Sequence, residues 1–213
     1  MARKYNGTSD QIASAAVALP ASAISVHFWY QTAAAQDDGG QRPPFSWSST
    51  ANNRGIQFNW SHNPTFRQAW AIFDTAYNPL QYATALSTNT WYGLGYTGDG
   101  TTGRAYLNGV EDINKLQGVP TDIGVENLWL GRNGSAGDKD NGISCRLGVW
   151  NVALSASEMR ALGSGVSPIR VRPQSLVVWW EEFGGTAEPD WSGQGLNGTV
   201  TGTTIADHAP VAP

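Results

Sequence analysis

The fold class is decided by the segment Ile24-Ser-Val-His-Phe-Trp-Tyr30, in which two kinds of side chain alternate. Successive side chains of a β-strand point to opposite faces of a sheet. On one face of this segment lie Ile24, Val26, Phe28 and Tyr30, and on the other lie Ser25, His27 and Trp29. An apolar set at every second position predicts a strand with that set in a core.

The same alternation recurs along the chain and predicts further strands. Gly55–Trp60 repeats it, and the apolar stretch from Ala13 to Ala23 is expected to hold a first strand. Others are predicted at Phe66–Phe73, Trp91–Thr97, Arg104–Val110, Asn127–Arg132, Cys145–Val152, Ser175–Phe183 and Thr199–Ala206. Asn-Gly and Asp-Gly pairs between the strands suit tight turns. The pattern as a whole predicts an all-β protein.

One short helix is predicted near residues 155–163. Ser155-Ala-Ser-Glu158 is a capping box, in which the serine hydroxyl and the glutamate carboxylate accept from N–H groups at the helix start. Gly163 marks the end of the helical pattern.

The composition and the distribution of turn residues indicate one domain over residues 1–213. The chain has 25 Gly and 10 Trp, which suits the many turns and large side chains of a β-sandwich. No repeat or linker divides it. Gln36–Pro44 is expected to be an exposed loop, and His208–Pro213 an extended tail.

Charge and cysteine content exclude several partners and sites. Thirteen Lys and Arg against 17 Asp and Glu give a net charge of −4, whereas nucleic acid is bound by basic surfaces. A lone Cys145 excludes a disulfide framework, and we expect it to be a small buried side chain. No run approaches the ~18 apolar residues of a membrane-spanning helix. Polar residues between Lys4 and Ala13 argue against a signal peptide and favour a cytoplasmic site of synthesis.

Five motifs in sequence order resemble the laminin G-like domains of the concanavalin A-like lectin/glucanase group. The two longest are Val149–Glu158, which resembles (V/I)-(Y/W)-N-x-A-L-S-x-x-E, and Pro189–Val200, which resembles D-x-SG-x-G-x-x-GTV. The other matching segments are Tyr5–Asp10, Thr90–Leu94 with Tyr106–Val110, and Gly131–Arg132. The resemblance implies a jelly-roll sandwich of two antiparallel sheets whose terminal strands are neighbours.

The order of these motifs carries a further implication. In many relatives the D-x-SG-x-G segment precedes the opening FDGxxD strand, whereas here it closes the chain. That order resembles laminin G-like proteins encoded among the structural genes of tailed phages. It therefore implies a virion protein made in the host cytoplasm.

No catalytic centre is evident in the sequence. Retaining glycosidases need two carboxylates ~5 Å apart that face one sugar. Glu181 and Glu182 are adjacent, so on a strand they would point to opposite faces. Glu111 and Asp112 follow a turn and are expected in solvent. We therefore expect no enzymatic activity.

Calcium is the metal that the sequence suits best. Ca²⁺ takes six to eight oxygen ligands, usually carboxylates and loop carbonyls. Asp190 lies in a Gly-rich loop, and Asp10 would lie near it if the terminal strands pair. Against a full ligand set, Cys145-Arg146 stands where relatives often carry an acidic pair. The alternative is that Asp190 accepts from its own backbone in an Asx turn.

Aromatic residues interleave with polar ones on the presumed central strands. Sugars stack on exposed rings that are flanked by a few polar groups. The candidate ligand-binding residues on these strands are Trp47, Trp60, Arg67 and Trp70. The alternative is that such aromatics fill the core of the sandwich. A core position is expected for Trp29, Trp91, Trp129, Trp150, Trp179 and Trp180.

These observations predict a non-catalytic virion protein of a tailed phage, on the capsid, tail or fibre. Its expected partners are other virion proteins, further copies of itself and a cell-surface glycan. The charged fraction of 14% leaves neutral surface for such contacts. The alternative is a stand-alone bacterial carbohydrate-binding protein.

Overall fold

The computed structural model describes residues 1–20, 23–32, 41–48, 55–61, 68–73, 77–112, 124–134, 137 and 139–209. The strands are β1 (Ala2–Lys4), β2 (Gln11–Ala18), β3 (Ile24–Gln31), β4 (Gln41–Ser48), β5 (Gly55–Ser61), β6 (Gln68–Phe73), β7 (Tyr77–Gln81), β8 (Trp91–Gly98), β9 (Gly103–Leu107), β10 (Val110–Glu111), β11 (Val125–Leu130), β12 (Ile143–Trp150), β13 (Leu176–Trp180), β14 (Ala187–Glu188), β15 (Gly198–Thr201) and β16 (Thr204–Ala206). The α-helix is α1 (Ala156–Gly163), and 3-10 turns span Pro168–Arg170 and Pro173–Ser175.

The strands form two antiparallel sheets of eight strands each. The front sheet has the order β10-β9-β8-β3-β12-β1-β16, with β13 also paired to β12. The back sheet has the order β14-β15-β2-β11-β4-β5-β6-β7. The predicted all-β sandwich of two antiparallel sheets is confirmed.

The space between the sheets holds the main apolar core. Phe28 of β3 meets Phe58 of β5 with ring centroids 5.8 Å apart and planes at 80°. The apolar face predicted for β3 is confirmed, since all four of its residues belong to this core: Ile24, Val26, Phe28 and Tyr30.

Helix α1 has the capping box that the sequence predicts. Ser155 Oγ accepts a hydrogen bond from Glu158 N at 3.3 Å, and Glu158 Oε2 accepts from Ser155 N at 2.7 Å. The buried residues Met159 and Leu162 pack in a second apolar cluster with Trp150. The helix therefore covers part of the outer face of the front sheet.

His27 lies beneath this covering layer and is 2% exposed. Its ring meets Trp29 edge-on with centroids 6.2 Å apart, and Nε2 has no hydrogen-bond partner in the structure. Burial, with a smaller contribution from the Arg146 charge, lowers the pKa of His27 to about 3. The imidazole is therefore neutral in the folded protein at neutral pH.

Some predicted boundaries differ from the observed ones. Gln41–Pro44 is predicted to be an exposed loop, but in the structure it begins β4. Its two prolines lie at a register shift between Arg42 and Phe45, where a strand can accept residues that have no backbone N–H to donate. Residues 36–40 lie outside the described residues. In the expected tail, Ala209 is buried against Cys145 and Trp29, and residues 210–213 are not described. Strand β7 was not predicted, because Pro79 disfavours a central strand.

The terminal strands are neighbours, as the resemblance implies. Ala2 of β1 pairs with Ala206 of β16, and Ile12 of β2 pairs with Val200 of β15. Between the sheets, Arg3 Nη2 forms a buried ion pair with Glu188 Oε2 at 2.9 Å. Among the described residues, no helix is long and apolar enough to cross a membrane.

The contribution of His27 to the free energy of unfolding should fall in acid. Unfolded histidine binds a proton near its ordinary pKa of 6.5, whereas folded His27 does so near 3, so its contribution is complete above pH 6.5 and is lost as pH falls toward 3. The full contribution amounts to about 5 kcal/mol at ~1.4 kcal/mol per pKa unit. Urea unfolding of wild type and His27→Gln between pH 7 and pH 4 should show a difference that shrinks in acid. His208→Gln is the comparison: partial burial also lowers the pKa of His208, but less than for the fully buried His27, so its acid dependence should be weaker. A pH-independent difference for His27→Gln would contradict the assignment.

Candidate functional site

A surface cleft of about 420 Å³ opens on the outer side of strands β12 and β13. Its lining residues are Arg146, Trp179, Glu181, Phe183 and Trp191. Three aromatic rings and one oppositely charged pair thus share one concave surface.

One wall of the cleft comes from alternate positions along the chain. Trp179, Glu181 and Phe183 line it, whereas Trp180 and Glu182, which lie between them, are fully buried. The predicted strand Ser175–Phe183 is shorter than expected and ends at Trp180, because Glu182 has a left-handed backbone with φ of 64°. The prediction that the two adjacent glutamates point to opposite sides is confirmed.

Glu182 and its partners hold this wall from behind. Ser144 Oγ donates to Glu182 Oε2 at 2.6 Å, and Tyr5 Oη shares a hydrogen bond with the same hydroxyl at 2.9 Å. Burial raises the pKa of Glu182 well above its usual range. The backbone N–H of Phe183 donates to Glu188 Oε1 at 2.8 Å, which fixes the chain where the exposed ring emerges.

Arg146 reaches the cleft through a β-bulge. Strand β12 pairs with β3 at Cys145–Trp29 and at Gly148–His27, so between these pairs two residues of β12 lie opposite one residue of β3. The extra residue gives Arg146 a φ of 60°. A bulge of this kind re-aims side chains at one point of a sheet.

Trp191 is supplied by a turn that adds to the edge of β13. Its backbone N–H donates to the carbonyl of Trp179 at 2.9 Å. The Asp190 carboxylate closes the turn: Oδ1 accepts from the N–H groups of Trp179 and Ser192 at 3.0 and 2.9 Å. Oδ2 accepts from Ser192 Oγ at 2.8 Å and from Leu196 N at 3.0 Å.

The rings form a partly exposed aromatic group. Trp191 is 50% exposed and Phe183 45% exposed. Their centroids lie 6.2 Å apart at 83°, and Trp191 lies 6.5 Å from Trp179 at 57°. These edge-to-face and tilted contacts leave ring faces open to a ligand.

The polar floor of the cleft is internally paired. Arg146 Nε contacts Glu181 Oε2 at 3.3 Å, and Trp179 Nε1 donates to Glu181 Oε1 at 2.7 Å. Arg146 Nη1 donates to the carbonyl of Gly165 at 2.8 Å. The ion pair is mostly shielded, with side-chain exposures of 16% and 9%.

The structure corrects one of the predicted sugar-binding residues. Trp47 is completely buried between the sheets, and its indole N–H donates to the carbonyl of Glu126 at 3.2 Å. It is a core residue, because no face of its ring reaches solvent. Trp60 and Trp70 lie in β5 and β6, but their side chains, and the whole of Arg67, fall outside the described residues. Their ligand-binding role stays a prediction.

Asp10 and Asp190 do not meet as the proposed calcium ligands. Gly202 packs against the buried carboxylate of Asp10 at one end of β15, whereas Asp190 bonds Leu196 before the other end. Every oxygen of Asp190 accepts from its own turn, so the Asx-turn alternative is the observed arrangement. Within the described ranges, no group of three His, Cys, Asp or Glu residues could hold a metal ion.

The carboxyl group of Asp140, just before β12, is also bonded to protein donors. Asp140 is fully buried and accepts from Tyr30 Oη at 2.7 Å and from Gly142 N at 3.0 Å. Burial raises the pKa of Asp140 to about 6. This carboxyl ties the loop to β3.

Sequence reasoning missed most of the cleft. Trp179 was expected in the core, yet it lies half-buried on the outer face, and neither Phe183 nor Trp191 was singled out. The available signal was the alternation of Trp179, Glu181 and Phe183, followed by a tryptophan inside an Asx turn. The expectation for Cys145 is confirmed, since it is fully buried and burial raises the pKa of its thiol.

A family model described as the concanavalin A-like lectin/glucanases superfamily matches residues 6–160. Curated protein sequences gave no match. Among solved structures, a putative carbohydrate binding protein from Bacteroides ovatus has 15% identity and a TM-score of 0.68, over 99% of this chain and 61% of that one. The chain thus spans less than two thirds of that protein's length.

Two further structures are similar. A heptameric SAP-like pentraxin from Limulus polyphemus has 12% identity and a TM-score of 0.61, over 78% of this chain and 82% of that one. Domain 4 of an extracellular arabinanase from Geobacillus stearothermophilus, in complex with arabinotriose, has 19% identity and a TM-score of 0.50, over 67% and 66%. At these identities the likeness shows the fold alone.

Replacing Asp190 by alanine should loosen the turn that presents Trp191. The carboxylate accepts from three backbone N–H groups, so its loss should cost about 1–3 kcal/mol of unfolding free energy. Hydrogen exchange should be faster at Ser192 and Leu196, whereas Asp99→Ala, which removes a similar turn at Thr101 and Thr102, should leave those amides unchanged. A calcium-dependent rise in Tm that Asp190→Ala abolishes would contradict the turn role and restore the metal role.

Proposed function

Because the chain belongs to the concanavalin A-like lectin/glucanase superfamily, we propose that it is a non-catalytic carbohydrate-binding protein and that the cleft beside β13 holds the sugar. The observation that carries the proposal is the pair of half-exposed rings, Trp191 and Phe183, next to the Arg146–Glu181 ion pair. Sugar rings present C–H groups that stack on aromatic faces, and their hydroxyls bond to polar groups beside them. The cleft supplies both kinds of contact.

The carboxylates of the cleft support a binding role over hydrolysis. Glycoside hydrolysis needs two carboxyl groups that flank one bond. Glu181 is the carboxylate among the described lining residues, and it is paired with Arg146 and Trp179. Its neighbour Glu182 faces the interior. The Bacteroides protein is described as a putative carbohydrate binding protein, and the Geobacillus domain is in complex with arabinotriose, which also favours a glycan as the partner.

We further propose that this binding takes place on the virion of a tailed phage, where the protein contacts other virion proteins and copies of itself. The support is the motif order, with the D-x-SG-x-G segment after the other motifs, and the low charged fraction of 14%. Antibody labelling of particles from a lysate tests the proposal. Regular label on heads or tails is expected, and protein that stays free in the lysate would favour the stand-alone lectin.

Truncation of the exposed rings should weaken sugar binding. Trp191→Ala and Phe183→Ala each remove an aromatic face from the cleft, and loss of a central aromatic contact typically weakens binding by at least ~10-fold. Affinity electrophoresis in gels that contain soluble polysaccharides measures the effect, and quenching of tryptophan fluorescence supports it.

Val125→Ala is the control for this series, since Val125 is 63% exposed and apolar but lies in the back sheet, outside the cleft lining. It should migrate like wild type. Undiminished binding by Trp191→Ala would move the site elsewhere, and no retardation of wild type by any polysaccharide would refute the function.

A further inference from the structure

The charged groups of the cleft are already bonded to each other, and this pairing affects which ligand charge the cleft can bind. We infer that the cleft selects neutral polysaccharides over acidic ones, because its cation is already neutralised by a carboxylate that a ligand must face. The inference rests on the proposed function and adds the chemical class of the sugar.

Arg146 is poorly placed to bind an acidic sugar. Arginine recognises carboxylates best through two parallel N–H bonds from its planar fork. Here Nε is directed at Glu181 Oε2 and Nη1 at the carbonyl of Gly165. The side chain is 16% exposed, so a ligand meets the guanidinium with two of its three nitrogens in use.

The Glu181 carboxylate can only accept hydrogen bonds, so a ligand group that contacts it must be a donor. Each of its oxygens accepts one bond, from Trp179 Nε1 at 2.7 Å and from Arg146 Nε at 3.3 Å, and each can accept another. Sugar hydroxyls can donate to it, whereas a sugar carboxylate has no proton to give and would be repelled. The indole N–H of the half-exposed Trp191 can in turn donate to a hydroxyl oxygen.

The layer behind the cleft does not offset this repulsion. Arg3, a buried cation between the sheets, is paired with Glu188 at 2.9 Å. Glu182 Oε2 accepts a hydrogen bond from Ser144 Oγ, and burial disfavours the charged form of Glu182. The charges of these pairs therefore cancel, while the Asp190 carboxylate beside Trp191 is bonded to N–H and hydroxyl groups of the described residues. The chain as a whole carries a net charge of −4.

Glu181→Gln tests this inference directly. Glutamine keeps a carbonyl oxygen for Trp179 Nε1 but removes the charge, which leaves Arg146 as an unpaired cation among aromatic rings. Affinity electrophoresis should compare two neutral polymers, laminarin and arabinan, with two acidic ones, polygalacturonate and alginate. Wild type should favour the neutral polymers at least ~10-fold, with little change between low and high salt, since exposed charges are screened by salt.

In Glu181→Gln, affinity for the acidic polymers should rise roughly 10-fold and be lost again at high salt. Glu111→Gln is the matched control, because it removes the same charge and frees Arg104 on a distant hairpin. Far-ultraviolet circular dichroism confirms that each variant folds, and the salt series on wild type tests the inference without any variant.

Three outcomes would overturn the inference. If wild type binds acidic polymers as well as neutral ones, the selectivity is wrong while the binding function stands. If Glu181→Gln and Glu111→Gln raise acidic binding equally, net charge and not the cleft is responsible. If wild type binds neither class, the proposed function itself fails.

Discussion

Strand β12 has to pair with β3 along one edge while it carries one residue more than β3 between Cys145 and Gly148. The odd spacing keeps both Ser144 and Leu147 inside the sandwich and leaves Arg146 outside. Without the bulge, one of the two inner positions would turn outward, because side chains of a regular strand alternate. The bulge therefore serves the core on one side and the cleft on the other. The position of the cation, and through it that of Glu181, depends on this local break in pairing.

The exposed rings of the cleft are held by backbone bonds. Trp191 N–H is bonded to the carbonyl of Trp179, and Phe183 N–H to the buried carboxyl of Glu188. Rings fixed in this way lose little further freedom when a ligand arrives, which lowers the entropic cost of binding. The energetic cost lies inside the protein. Glu182 adopts a left-handed backbone conformation, and its buried Oε1 has no hydrogen-bond partner. Strain and unpaired polar groups of this kind concentrate at functional sites.

The sequence predicted the sandwich well because its signals are local and repeated. Alternation in β3, the capping box of α1 and the opposite directions of Glu181 and Glu182 each follow from spacing along the chain. The cleft depends on non-local events that spacing does not encode: a bulge at Arg146 and a turn that docks on β13. Trp47 and Trp179 illustrate the difference. Both are tryptophans on strands, and which of them is enclosed is decided by the opposite sheet and by the covering helix.

The pairing of β1 with β16 and of β2 with β15 has a consequence for how such chains can be connected. The first strands of the chain lie beside its last strands. The first and last strands of the described sandwich are therefore joined by strand pairing within a continuous sheet. A chain that ran β15 and β16 first and then β1 and β2 could make the same ladder bonds with a short connection. The two motif orders seen among laminin G-like domains are therefore compatible with one sandwich. Two chains with these two orders and this pairing would be circular permutants, which differ in where the polypeptide begins and keep the same contacts.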